Sequence, residues 1–172
     1  VAVCSGRVAV ESRTVRDYQS NGVRIAGDYG RSAGHPRGFR ISHVTAVRNG
    51  LYGLYAFGAR AGVIEASYAT GSPDSGIYVG QCDPCEIVVR GNIAERNAIG
   101  YEATNASGVD VVENVWRSNR VGMTTGSGSQ EQAAPQHGGR IVANLVAANG
   151  EAAAPETQGG IGVGVVLGGG RD

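Results

Sequence analysis

The chain contains no lysine: all 15 of its basic residues are arginine, and 15 acidic residues balance them. Lysine is thereby removed from every catalytic scheme, the phosphate-binding P-loop included. The balance of charge leaves neither a basic surface for nucleic acid nor an acidic tail. There is no run of about 18 apolar residues, so no membrane-spanning helix is expected. Aromatic residues are few (7 Tyr, 2 Phe and 1 Trp), and leucine occurs only at Leu51, Leu54, Leu145 and Leu167. No long amphipathic helical pattern is present. What is plentiful is glycine, 29 residues among 172, with Val, Ala and Ile supplying most of the apolar content. That composition suits many short strands closed by tight turns.

The strands are periodic. A glycine followed by an alternating triplet recurs as G-V-R-I at Gly22, G-L-Y-A at Gly53, G-I-Y-V at Gly76, G-Y-E-A at Gly100, G-M-T-T at Gly122 and G-I-G-V at Gly160. Consecutive glycines lie 31, 23, 24, 22 and 38 residues apart, a basic period of 22 to 24 with two enlarged repeats. Asparagine precedes most of them, at Asn21, Asn49, Asn97, Asn119 and Asn149, and the last three repeats carry another five residues earlier, at Asn92, Asn114 and Asn144. Upstream of each pair lies a further alternating segment, beginning at Val8, Phe39, Ile87 and Val109. Period-two alternation broken by Asn and Gly describes strands joined by turns in which asparagine is expected to take the left-handed backbone angles.

Four leucines are too few for a leucine-rich repeat, collagen and coiled-coil periods do not fit, and the calcium-binding glycine-rich nonapeptide is absent. A parallel β-helix remains, in which each repeat stacks on the one before at about 4.8 Å and equivalent residues form columns. The expected architecture is all-β: a right-handed parallel β-helix of about six rungs over residues 1–172, roughly 29 Å along its axis. The run S-G-I-Y-V-G-Q-C through R-G-N-I-A-E-R-N-A-I-G, with the N-x-x-x-x-N ladder, resembles right-handed β-helix repeat proteins of the pectate-lyase-like superfamily, especially secreted actinobacterial members. The resemblance implies the fold and a secreted or cell-surface location. It implies no single activity, since that superfamily holds lyases, hydrolases, epimerases, tailspikes and members without known chemistry.

In the glycine-led strand the residue after glycine and the one two further on should face inward, as Val23, Leu54, Ile77, Tyr101, Met123 and Ile161 and as Ile25, Ala56, Val79, Ala103, Thr125 and Val163. Between them an outward column runs Arg24, Tyr55, Tyr78, Glu102, Thr124 and Gly162, with Phe57 beside it. Stacked tyrosines between an arginine and a carboxylate make a candidate ligand face for a polysaccharide or cell-surface glycan: Arg24, Tyr55, Tyr78 and Glu102. The same pattern also suits an ordinary exposed sheet. Glycoside hydrolysis needs two carboxylates, and the column offers only Glu102. No catalytic motif is present, so catalytic residues are left unassigned. An extracytoplasmic carbohydrate-interacting or scaffold protein is therefore expected, against two rivals: a lyase or epimerase on a uronate glycan, and a purely structural assembly component.

Cys82 and Cys85 form a C-x-x-C. Zinc would need two further Cys or His nearby, haem attachment a His where Glu86 stands, and a thioredoxin site a helix start. The pair closes a disulfide across its turn or stays as two thiols, the disulfide following if the protein is secreted. Cys4 then has no partner within the chain. His35 and His137 are expected as surface histidines and His43 as part of a turn, so neither a metal nor another cofactor is expected. Nothing near either end resembles a cap. The chain is expected to be a segment of a longer polypeptide, or to have its ends covered by self-association or other chains.

Overall fold

The computed structural model describes residues 2–3, 7–27, 34–128, 131–155 and 160–171. Cys4 lies outside the described residues. The described chain forms β1 (Ala2–Val3), β2 (Ala9–Arg16), β3 (Val23–Ala26), β4 (Arg40–Val47), β5 (Leu54–Phe57), β6 (Val63–Glu65), β7 (Tyr68–Thr70), β8 (Ser75–Cys82), β9 (Ile87–Arg90), β10 (Ile93–Glu95), β11 (Ile99–Ala106), β12 (Val109–Val112), β13 (Val115–Arg117), β14 (Val121–Gly126), β15 (Arg140–Val142), β16 (Leu145–Ala147) and β17 (Val163–Gly168). Every pairing is parallel. Among the described residues no helix is long and apolar enough to cross a membrane.

The glycine-led strands stack as one seven-stranded sheet in the order β1-β3-β5-β8-β11-β14-β17. The other strands form a ten-stranded sheet that forks at β4. The first half of β4 pairs with β6 and leads to β9, β12 and β15, while its second half pairs with β7 and leads to β10, β13 and β16. Three strand directions per turn of chain thus enclose one core, a parallel β-helix.

Two sequence signals turn out to be one device. Asn92 donates from its amide to Asn114 Oδ1 (2.9 Å) and Asn114 to Asn144 Oδ1 (2.8 Å), while each amide also reaches a strand carbonyl, at Ile64, Val89 and Val111. A second ladder runs from Asn97 to Asn119 (3.1 Å) and on to Asn149 (3.2 Å). Nearly full burial of Asn92, Asn97, Asn114 and Asn119 makes their bonds necessary, because an unpartnered buried amide is costly. A Cβ on Gly22, Gly76, Gly100 or Gly122 would lie 2.7 to 2.8 Å from the amide nitrogen of Asn49, Asn97, Asn119 or Asn149 respectively. At these four anchors a side chain would collide both with the next rung's asparagine amide and with the next anchor glycine's carbonyl; at Gly53 the polar neighbour is Ser72 instead.

The left-handed residue at these turns is not the asparagine but the one before it: Glu113, Ser118, Ala143 and Ala148 all have φ between 51° and 56°. The asparagine contributes its amide, and the bonds it makes offset the strain of a non-glycine residue in that region. His43 occupies the same kind of bend (φ 54°), with its Nδ1 2.7 Å from Ser42 Oγ.

The inward columns fill the core as expected, Val23, Leu54, Ile77, Tyr101 and Met123 being fully buried. Large and small residues compensate within it. Trp116 stands in register with Ala94 and stacks on Tyr101 at 5.6 Å. The last rung departs from the expected register. Met123 pairs with Val165, Thr124 with Val166 and Thr125 with Leu167, so the anchor is Gly164 rather than Gly160. Both G-I-G-V and G-V-V-L satisfy the strand pattern, but Gly162 adopts φ 79°, a turn conformation that cannot continue the ladder. Val166 replaces Gly162 in the outward column, and Val165 and Leu167 replace Ile161 and Val163 in the inward ones.

Candidate functional site

The sheet aligns the four predicted residues in one row: Arg24 pairs with Tyr55, Tyr55 with Tyr78, Tyr78 with Glu102, and Glu102 with Thr124. All project to the outer side, yet they differ in exposure. Arg24 is exposed, Tyr55 and Glu102 are partly buried, and Tyr78 is only 7% exposed. Tyr78 is hidden by its neighbours rather than by the core. A Cβ on Gly80 would meet its hydroxyl oxygen at 2.3 Å, so the ring lies over that glycine and its hydroxyl bonds Thr104. Tyr55 covers it from the next rung at 4.9 Å and 17° between planes.

A third tyrosine completes the cluster. Tyr52, in the turn before β5, lies 4.8 Å from Tyr55 and 5.0 Å from Tyr78 between ring centroids, and Phe57 stacks on the other side of Tyr55 at 5.8 Å. Such offset stacks add to area burial. Much of the ring surface is spent on neighbouring rings, so Tyr52 and Tyr55, not Tyr78, keep surface for a ligand.

The site also has the second carboxyl that the column lacked. Asp74, at the turn into β8, hydrogen-bonds both Tyr52 and Glu102, and Ser75 Oγ donates to Glu102 Oε2 at 3.1 Å. Burial, followed by the charge and hydrogen bond of Asp74, raises the Glu102 pKa well above the ordinary carboxylate range. Glu102 therefore keeps its proton to higher pH than an ordinary carboxylate does. Glu131, on the loop after β14, accepts from the Gln81 and Asn105 amides at the edge of the same sheet. Burial, with Glu102 and Glu131 adding to it and Arg24 opposing, pushes Tyr55 up to about 12; Tyr52 and Tyr78 are raised too, chiefly by burial. All three phenols hold their protons at neutral pH.

Sequence reasoning missed Tyr52, Asp74 and Glu131. The first two left a trace: Tyr52 immediately precedes the anchor Gly53, and Asp74 stands two residues before Gly76, which brings both to the near edge of the outward face. Glu131 lies on a loop outside the repeat and left none.

The C-D-P-C turn is separate from this cluster. Cys82 and Cys85 are joined by a disulfide (S–S 2.07 Å), and the turn is tied to its neighbours by Cys85 N–H to the Ser107 carbonyl (2.7 Å) and Ala61 N–H to the Cys85 carbonyl (2.8 Å). His137 Nε2 lies 3.4 Å from Asp83 Oδ2, and His35 Nδ1 lies 2.5 Å from the Gly58 carbonyl oxygen. Among the described residues no group of three or more His, Cys, Asp or Glu side chains is placed to hold a metal ion.

A family model described as a right handed beta helix region matches residues 1–165. No curated protein and no solved structure matches the chain.

Proposed function

The chain belongs to the right-handed β-helix family, and from that premise we propose that it is a glycan-binding protein working outside the cytoplasm, with Arg24, Tyr52, Tyr55 and Glu102 as its ligand face, packed on the buried Tyr78 and Asp74. One observation carries this: an outward row with Tyr55, Tyr78 and Glu102, joined from the turns by Tyr52 and Asp74, gathers tyrosine rings and carboxyls on a rigid sheet, at positions where the repeat itself demands no particular residue. Exposed surface on Tyr52 and Tyr55 can pack on sugar C–H groups, and carboxyl oxygens beside it accept from sugar hydroxyls. The Cys82–Cys85 disulfide supports an oxidising compartment.

Binding fits this face better than cleavage does. A lyase or epimerase would need a base, and the tyrosines are shifted away from that role. Glycoside hydrolysis sets its carboxyls about 5 Å or more apart, whereas Asp74 and Glu102 are directly hydrogen-bonded.

The test is a glycan array probed with the purified protein and with Tyr52→Ala and Tyr55→Ala. We expect retention on a defined glycan class and at least about a tenfold loss of affinity in each variant, with melting temperatures lowered by only a few degrees. An array without retained ligand, or variants that bind like the parent, would overturn the assignment.

A further inference from the structure

The inward columns that pack the core change character toward the last strands. Ile25, Ala56, Val79 and Ala103 share one column, all buried and apolar, and its next member is Thr125, which brings a hydroxyl inward. Ile87 and Val109 share another, and the residue that follows Val109 in register, just before the paired Arg140, is Gly139. Gly62 occupies the same column further up the stack, and the two glycines differ. A Cβ on Gly62 would collide with the Phe39 ring, so a neighbour fills that space. A Cβ on Gly139 would meet nothing nearer than the Val109 carbonyl oxygen at 3.5 Å. The room left there is part of a cavity of about 500 Å³, walled by Tyr101, Val109, Val111, Ile141 and Leu167 and bordered by Thr125. Interiors are normally packed to leave few voids larger than a water molecule, whereas this volume is that of a small-molecule site.

We infer that this cavity binds an amphiphilic carboxylate, with its apolar chain in the lumen of the β-helix and its carboxylate at the mouth. The walls are core side chains, which favour a chain that leaves water. The lining also includes Arg140 and Arg171, with Gln136 and His137 on the same loop as Arg140. Arg140 gives Nε to Asp110 Oδ1 (3.2 Å), and its guanidinium carries four further N–H donors. His137 Nε2 lies 3.4 Å from Asp83 Oδ2. The planar guanidinium matches a carboxylate in shape and charge, so the arginines select an acid over a neutral amphiphile. Loop and tail are tied together at this opening: the Gln136 side chain accepts from Ala106 N–H (3.3 Å), and the Gln136 carbonyl accepts from Arg171 N–H (3.0 Å). The cavity lies in the lumen and the tyrosine cluster on the outer face, so the two readings stand or fall separately.

Calorimetry on the whole chain with octanoate, butyrate and 1-octanol provides the test. Octanoate is expected to bind at least about tenfold tighter than butyrate, which lacks the chain, and than 1-octanol, which lacks the charge. Gly139→Val restores a side chain to the column of Ile87 and Val109. It should weaken octanoate at least about tenfold while leaving the melting temperature unchanged or higher, a combination that a glycine required by the fold would not give. Should that variant not fold, Thr125→Leu fills the same lumen from the facing sheet and should weaken octanoate likewise. Arg140→Gln and Arg171→Gln should each bring octanoate affinity several-fold closer to that of 1-octanol, and Tyr55→Ala should leave it unchanged. The inference is overturned if octanoate does not bind, if it binds the filled variants as tightly as the parent, or if 1-octanol binds as well as octanoate.

Discussion

At the two asparagine corners the chain sets Asn92, Asn114 and Asn144 in one row and Asn97, Asn119 and Asn149 in another. On the glycine-led sheet the equivalent row runs Arg24, Tyr55, Tyr78, Glu102, Thr124, Val166. The corner repeats because each rung poses the same problem there, a bend whose buried backbone groups need a polar side chain, an asparagine in these rungs and Ser67 in the one before them. The outer face of the sheet poses no such problem. Its backbone is already paired and its side chains are free to differ, so a cluster that persists there over adjacent rungs is available for work other than holding the fold.

Removing a ladder amide should have the largest effect. Asn114→Leu strands the Asn92 N–H and the Val89 carbonyl in a buried corner and removes the amide links of Asn114 to Asn92 and Asn144. A loss of roughly 3–5 kcal/mol in urea denaturation is expected. A loss under about 1 kcal/mol would show that the corner is not the structural element described here.

Tyr78→Ala comes next and sharpens the contrast inside the column. Because the ring is buried among Tyr55, Tyr52 and Gly80, we expect roughly 2–3 kcal/mol of destabilisation, with Tyr55→Ala costing about half as much. Equal costs for the two would mean that Tyr78 is as open as its neighbour.

The smallest effect is in pH. The folded pKa of Glu102 is raised, so its contribution to stability is complete below the ordinary carboxylate value and is lost as pH rises through the raised one. Glu95, held low, contributes above the ordinary value and loses that contribution as pH falls through its folded pKa. Melting temperatures followed from pH 4 to 9 should therefore fall toward the alkaline side, and Glu102→Gln should flatten that limb alone. A parent protein whose stability does not decline there would contradict the raised pKa of Glu102.

The column could be read from the chain because strand periodicity fixes which residues share a face, and the glycine anchors fix which strands are equivalent. Those two rules put Arg24, Tyr55, Tyr78 and Glu102 in one row. They failed at Gly160, where two overlapping glycine patterns fit equally well and only the pairing of Met123 with Val165 decides between them. They also could not foresee that Tyr78 would be covered, because burial on the outer face depends on ring packing across rungs rather than on alternation.

By itself, then, the sequence determined the repeat, the parallel sheets, the inward columns and the identity of the outward row, since all of these follow from local periodicity. Only the tertiary structure decided that Tyr52, Asp74 and Glu131 join that row. They come from turns and a loop outside the strand alternation, and long-range stacking of the rungs, not spacing along the chain, brings their side chains to the same face. The raised pKa of Glu102 follows from that assembly, because burial and the neighbouring Asp74 favour its protonated form.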